Sequence, residues 1–190
     1  MGKEDRNDDV NLFQLILDQA DGIDFSDPAA PDPAAPDLPN PTELMVPGLE
    51  VSKLFCVVYW ALLHSQDEEG ITAGLDMMTL EQAKKAVNGT FLFNVRPTEG
   101  SGIDDKVVQF YVDMRREGKI IRGPGPDKPK PDCVLTISDR EMIRAGLGQL
   151  SPQVAFMKGR VKVKGNIMLG LRMQTVLMNE VKEMSRVAKL

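Results

Sequence analysis

Two rhythms of apolar and polar positions run along residues 49–190, and several changes of rhythm fall on glycine, asparagine or proline. Residues 51–64 are apolar on most sides, which predicts a helix buried against several partners. In residues 79–87, TLEQAKKAV, Thr79 stands three positions before Gln82, the spacing of a capping box, and Asn88-Gly89 ends the helix. Period two then takes over. Phe91, Phe93 and Val95 alternate with polar or exposed positions, so residues 90–95 read as a strand, with further strands at 107–114, 119–122 and 133–137. The intervening GPGPDKPKPD has too many prolines for a helix or a central strand and must cross the surface. Ser138, with Glu141 three residues on, opens another helix.

Residues 151–177, SPQVAFMKGRVKVKGNIMLGLRMQTVL, form one continuous unit. Ser151-Pro152 opens a short helix, because serine can cap a free amide and proline at the first helical position has no N–H to leave unpaired. Gly159 ends it. Arg160, Lys162 and Lys164 alternate with Val161 and Val163, giving a strand with one basic and one apolar face. Gly165 and Asn166 turn the chain, and Asn166 can cap the long helix that follows. On that helix Ile167, Met168, Leu169, Leu171, Met173, Val176, Leu177, Met178, Val181 and Met184 cover more than the stripe a single sheet contact needs.

The elements in order predict an α+β domain over residues 49–190 with a mostly antiparallel five-stranded sheet covered by helices. Residues 1–48 differ. Residues 10–25 place Leu12, Leu15, Ile16, Gln19 and Ile23 near one helical face, either an amphipathic docking helix or a marginal helix in a flexible tail. Residues 27–47 repeat DPAAP in tandem and read as an extended spacer that separates rather than packs. This acidic, flexible leader carries eleven acidic and two basic side chains, whereas residues 49–190 carry seventeen and twenty-one. The net charge of −5 therefore hides a mildly basic folded part, most basic over residues 140–190, with ten basic side chains against three acidic.

Candidate chemistry is sparse. The run 54–63 is too short to span a bilayer, and the acidic N-terminus lacks the pattern of a secretory signal. Cys56 and Cys133 are too few for a disulfide framework and lie in no metal-ligand cluster. His64, the single histidine, stands eight residues from Cys56, about 12 Å along a helix and beyond hydrogen-bond reach. With no phosphate loop or nucleophile elbow either, no catalytic residue, metal or cofactor is expected. The basic strand face has no interleaved aromatics, which argues against nucleic acid. Six of the eleven methionines, Met142, Met157, Met168, Met173, Met178 and Met184, fall in the last quarter, where flexible thioethers suit either ordinary core filling or an adaptable apolar site.

Over residues 133–177 the chain resembles the sterol carrier protein 2 family, whose domain also occurs within peroxisomal multifunctional enzymes. The resemblance rests on Pro152, Ala155, Phe156, Gly159, Lys162, Gly165, Asn166 and Gln174 at the family's spacing. Arg160 and Arg172 stand for lysines, Met173 for leucine, and Gly170 where a better helix former is expected. The resemblance implies a non-enzymatic carrier of fatty acids, fatty acyl-CoA or sterols, held in a hydrophobic tunnel between the sheet and the helices. It implies a tunnel wall of Phe156, Met157, Ile167, Met168, Leu171, Met173 and Leu177, a polar contact from Gln174, and nearby cations drawing anionic head groups. The ending Ala188-Lys189-Leu190 is of the peroxisomal address type and implies the import receptor as a partner, with a cytoplasmic protein as the alternative. Transient contact with a membrane surface is compatible with the basic end. The rival reading is a protein-interaction module that recruits a partner through its N-terminal segment.

Overall fold

A computed structural model describes residues 25, 38–67, 73–74, 76–146 and 148–187. The segment 10–24, most of the expected spacer, and the ending Ala188-Lys189-Leu190 lie outside the described residues.

Five strands form one open sheet: β1 (Thr90–Arg96), β2 (Val108–Asp113), β3 (Lys119–Arg122), β4 (Cys133–Ser138) and β5 (Lys162–Gly165). Their order is β3-β2-β1-β4-β5, with β1 parallel to β4 and the other three pairings antiparallel. The expected α+β class and mostly antiparallel sheet are therefore observed. The parallel pair at the centre follows from the proline-rich loop, which carries the chain from the β3 edge back past β2 and β1. A Cβ at Gly125 in that loop would overlap the Tyr111 ring, so the crossing chain lies directly on the sheet.

The helices are α1 (Glu50–Leu63), α2 (Leu80–Val87), α3 (Asp139–Gly146), α4 (Pro152–Met157) and α5 (Ile167–Val187). The capping box at Thr79 is present in both directions, and Asn88 closes α2 in the left-handed conformation. Asn166 Oδ1 accepts from Met168 N at 3.1 Å, the expected cap of α5. Ser151 differs. It occupies the cap position of α4, but its hydroxyl donates to Gln153 Oε1 at 2.9 Å and caps no backbone amide.

Strand alternation decides which sheet face is covered. Phe91, Phe93, Val95, Phe110, Val112, Ile120, Cys133 and Ile137 are buried, and the register places them on one face. Phe55 of α1 stacks on Phe110 at 4.5 Å and meets Phe93 edge-on at 5.3 Å, which seats α1 on that face. Asn94, Gln109 and Thr136 bond to one another on the opposite face.

The C-terminal end of the expected spacer packs. A 3-10 turn at Pro41–Leu44 is capped by Asn40, and Leu44 and Val46 join the core, Leu44 at 1% exposure. Phe25 is 4% exposed and meets Trp60 edge-on at 6.0 Å. Composition marked the segment as proline-rich, but two large aliphatic side chains bury enough surface to hold its end down.

Candidate functional site: an apolar cavity under the last helix

Between the covered sheet face and the helices lies a cavity of about 300 Å³. Phe93, Val112, Ile120, Leu135, Ile137 and Val163 form its floor, and Leu54, Phe55, Val58 and Leu62 of α1 form one wall. Its opposite wall is α5. There Ile167, Gly170, Leu171, Met173, Gln174, Val176, Leu177 and Glu180 recur at three- and four-residue intervals, one face of the helix. A passage running through the domain is not described, so the expected tunnel corresponds here to a cavity.

Five of the seven expected wall residues border it, Phe156, Ile167, Leu171, Met173 and Leu177, and so does Gln174, the expected polar contact. Met157 and Met168 do not. They are 84% and 67% exposed, because each follows by one residue the side chain that does reach the cavity, and one step around a helix turns it about 100° away. Together with Val154, Phe156 and Ile167 they form an exposed apolar patch around α4 and the first turn of α5. Met142 also borders the cavity, while the Met184 side chain lies outside the described residues.

Glu180 is the feature the sequence reading did not single out. It borders the cavity at 7% exposure, and its Oε2 accepts from Met78 N at 3.0 Å. Burial pushes its carboxyl above the ordinary range; the Met78 N–H pulls the other way, and the Glu183 and Asp76 charges add to the rise. A signal existed in the spacing, since Glu180 falls seven residues after Met173 and three after Leu177 on the same stripe.

Neither cysteine is set up as a nucleophile. Burial alone pushes the Cys56 thiol up to about 12. Burial also raises Cys133, with the Asp132 charge adding to it and a Gly170 backbone contact opposing. His64 Nδ1 is 2.6 Å from Asp67 Oδ2, and its ring stacks on Trp60 at 4.5 Å. Among the described residues no group of three His, Cys, Asp or Glu side chains is placed to hold a metal ion, and no helix is long and apolar enough to cross a membrane.

Comparison with known proteins gives the same assignment from sequence and from fold. Residues 74–178 match the model of the SCP-2 sterol transfer family. Sterol carrier protein 2 of Bos taurus is 32% identical over 97 residues, which is 50% of this chain but only 17% of that protein. A fatty acid-binding protein of Yarrowia lipolytica is 32% identical over 52% of this chain and 72% of its own length. Among solved structures, the apo form of sterol carrier protein 2 from Yarrowia lipolytica superposes with a TM-score of 0.57 at 26% identity, covering 73% of this chain and 97% of that one. The matched span runs from just before α2 into α5 and includes most of the cavity wall, and the chain belongs to the SCP-2 sterol transfer family.

Proposed function

We propose that the protein is a non-enzymatic lipid carrier that holds one long-chain lipid, a fatty acid, fatty acyl-CoA or sterol, in the cavity beneath α5. The observation that carries this reading is the cavity itself: a concave space of about 300 Å³ walled almost wholly by hydrocarbon and thioether side chains. Each methylene buried there is worth about 0.8 kcal/mol, so a long chain supplies most of the affinity without a specific contact. Phe156, Ile167, Leu171, Met173 and Leu177 are the proposed chain contacts, with Gln174 as a polar one. Kinship with a protein named for fatty acid binding supports the ligand class.

The exposed patch supports loading from a membrane. Lys158, Arg160, Lys162 and Lys164, all exposed, lie in the chain between Met157 and Ile167, and no acidic residue occurs between Ser151 and Asn179. Phe156 and Ile167 belong to both the patch and the cavity wall, which puts the apolar surface at the cavity's rim. Each cation held near an anionic bilayer contributes about 1 kcal/mol. In this reading residues 49–190 are the lipid-binding unit and residues 1–48 a leader, of which Phe25, Leu44 and Val46 pack into the core. Peroxisomal import through Ala188, Lys189 and Leu190 is part of the same proposal, and a reporter bearing those residues tests it.

Titration with a fluorescent fatty acid tests the carrier reading. Saturable binding at micromolar protein is expected, and Leu171→Glu is expected to weaken it at least tenfold while the chain stays folded. Absence of saturable binding in the unaltered protein overturns the reading.

A further inference from the structure

Met157 and Met168 are the two side chains of the expected wall that the fold turns outward, and the cavity makes no use of them. Their sulfur atoms are open to solvent. At 84% and 67% exposure they stand apart from the other described methionines, which are buried or half-buried, Met77 and Met114 at 7% and 4%. They are also the two most exposed members of the apolar patch, ahead of Phe156 at 48%, Ile167 at 45% and Val154 at 41%. The side chains with most surface to give a bilayer are thus both thioethers. A thioether needs no ionisation to react with an electrophilic oxygen, so access decides which one is oxidised. Thiols do not compete for the oxidant here, because Cys56 and Cys133 are both 0% exposed and burial holds each in its protonated form.

Resting on the membrane-loading reading above, we propose that Met157 and Met168 form a modification site for hydrogen peroxide, and that their conversion to sulfoxides releases the rim of the protein from the membrane. A lone pair on Sδ attacks one peroxide oxygen, so that an S–O bond forms as the O–O bond breaks. The sulfur is oxidised by two electrons, and the other oxygen leaves as hydroxide and takes up the remaining proton to become water. The product is a polar sulfoxide in place of a flexible apolar side chain, and a sulfoxide oxygen has no donor to meet it in hydrocarbon. The cations at Lys158, Arg160, Lys162 and Lys164 are untouched, so oxidation removes the apolar part of the contact and leaves the electrostatic part. The cavity wall is untouched as well, since neither sulfur borders it.

The experiment treats the full chain with a limiting dose of hydrogen peroxide and maps the added oxygen by peptide mass spectrometry. It then measures co-sedimentation with mixed phosphatidylcholine and phosphatidylserine vesicles, and titration with a fluorescent fatty acid. Oxygen is expected first on Met157 and Met168, with vesicle binding lowered about tenfold and fatty acid binding unchanged. Treatment with the epimer-specific methionine sulfoxide reductases is expected to restore vesicle binding. In Met157→Leu/Met168→Leu, compared with its own untreated sample, peroxide is expected to cause no loss. Oxidation of Met142 or Met173 at the same dose as the exposed pair overturns the site. Vesicle binding that survives full oxidation of the pair overturns the release, as does a loss of the same size in the leucine double variant or a parallel loss of fatty acid binding. If the untreated protein does not sediment with vesicles, the membrane-loading reading fails and the release fails with it, whereas the mapping result stands or falls by itself.

Discussion

Three carboxylates show how differently one functional group behaves in this molecule. Asp132 joins separate parts of the sheet: its carboxylate accepts from Thr90 N at 2.8 Å, from Thr90 Oγ1 at 2.9 Å and from Arg115 Nη1 at 3.0 Å. Burial works to raise it, but the Thr90 and Arg115 bonds outweigh that and hold it below the ordinary range. A carboxyl depressed on folding contributes stability above its unfolded value near 3.9 and loses it as pH falls through the folded value. Asp132→Ala is therefore expected to cost about 2 kcal/mol in urea unfolding at neutral pH, and the gap from the unaltered protein to narrow as the acid range is entered. Glu180 has the opposite sign. Its raised carboxyl contributes stability below the unfolded value near 4.3 and loses it as pH rises through the folded one, so Glu180→Gln is expected to gain on the unaltered protein as pH rises above about 4.3. Melting temperatures collected across pH check both. Asp139 is the third. At 3% exposure it accepts from Val51 N at 2.7 Å and Glu50 N at 3.0 Å, capping α1 from a residue 88 positions away. Asp139→Ala is expected to lower stability by about 1–3 kcal/mol, read as a shift in the urea midpoint.

At the scale of elements, what could be read from the chain was whatever neighbouring residues decide among themselves. The β3 strand matches its expected bounds of 119–122, β1 and β4 differ by one residue at one end, and β2 by one at each end, because alternation between a covered and an uncovered face is written locally. The Thr79–Gln82 box and the Asn166 cap were legible for the same reason. The Asp139 cap was not, since Leu49 supplies no side-chain cap to α1 and its substitute comes from another element. Nor was the outward turn of Met157 and Met168, which hydrophobicity alone cannot distinguish from their inward neighbours. Gly165, the corner before α5, has φ +89, and a Cβ there would overlap the Asp132 carbonyl oxygen, so its glycine is required. Gly170 is different: a Cβ there would stand 3.8 Å from Cys133 Sγ, an ordinary contact. Gly170→Ala is expected to raise stability by about 1 kcal/mol through helix propensity while narrowing the cavity, so that melting temperature rises and the affinity for bulky lipids falls. Measuring both on one preparation separates the backbone effect from the volume effect.

Across the whole molecule positive charge concentrates over residues 140–190, with ten basic side chains against three acidic. The domain presents a cationic, apolar rim, and the proposed membrane contact depends on it. Co-sedimentation with anionic vesicles is expected to be lost in Met157→Glu/Met168→Glu, to decline with salt, and to leave fatty acid binding in solution intact, since neither methionine borders the cavity. The family assignment was legible from residues 152–174, but the cavity's far wall was not, because α1 and Met77 reach it only through the fold. Leu54, Phe55, Phe93, Val112 and Ile120 belong at once to the central core and to the cavity wall. The same side chains that keep the chain folded are thus the ones a guest would touch, and occupancy and thermal endurance become a single quantity. A lipid present at a hundred times its dissociation constant would add about 2.7 kcal/mol, so under the proposed function the emptied protein would be the form that heat and proteases find first.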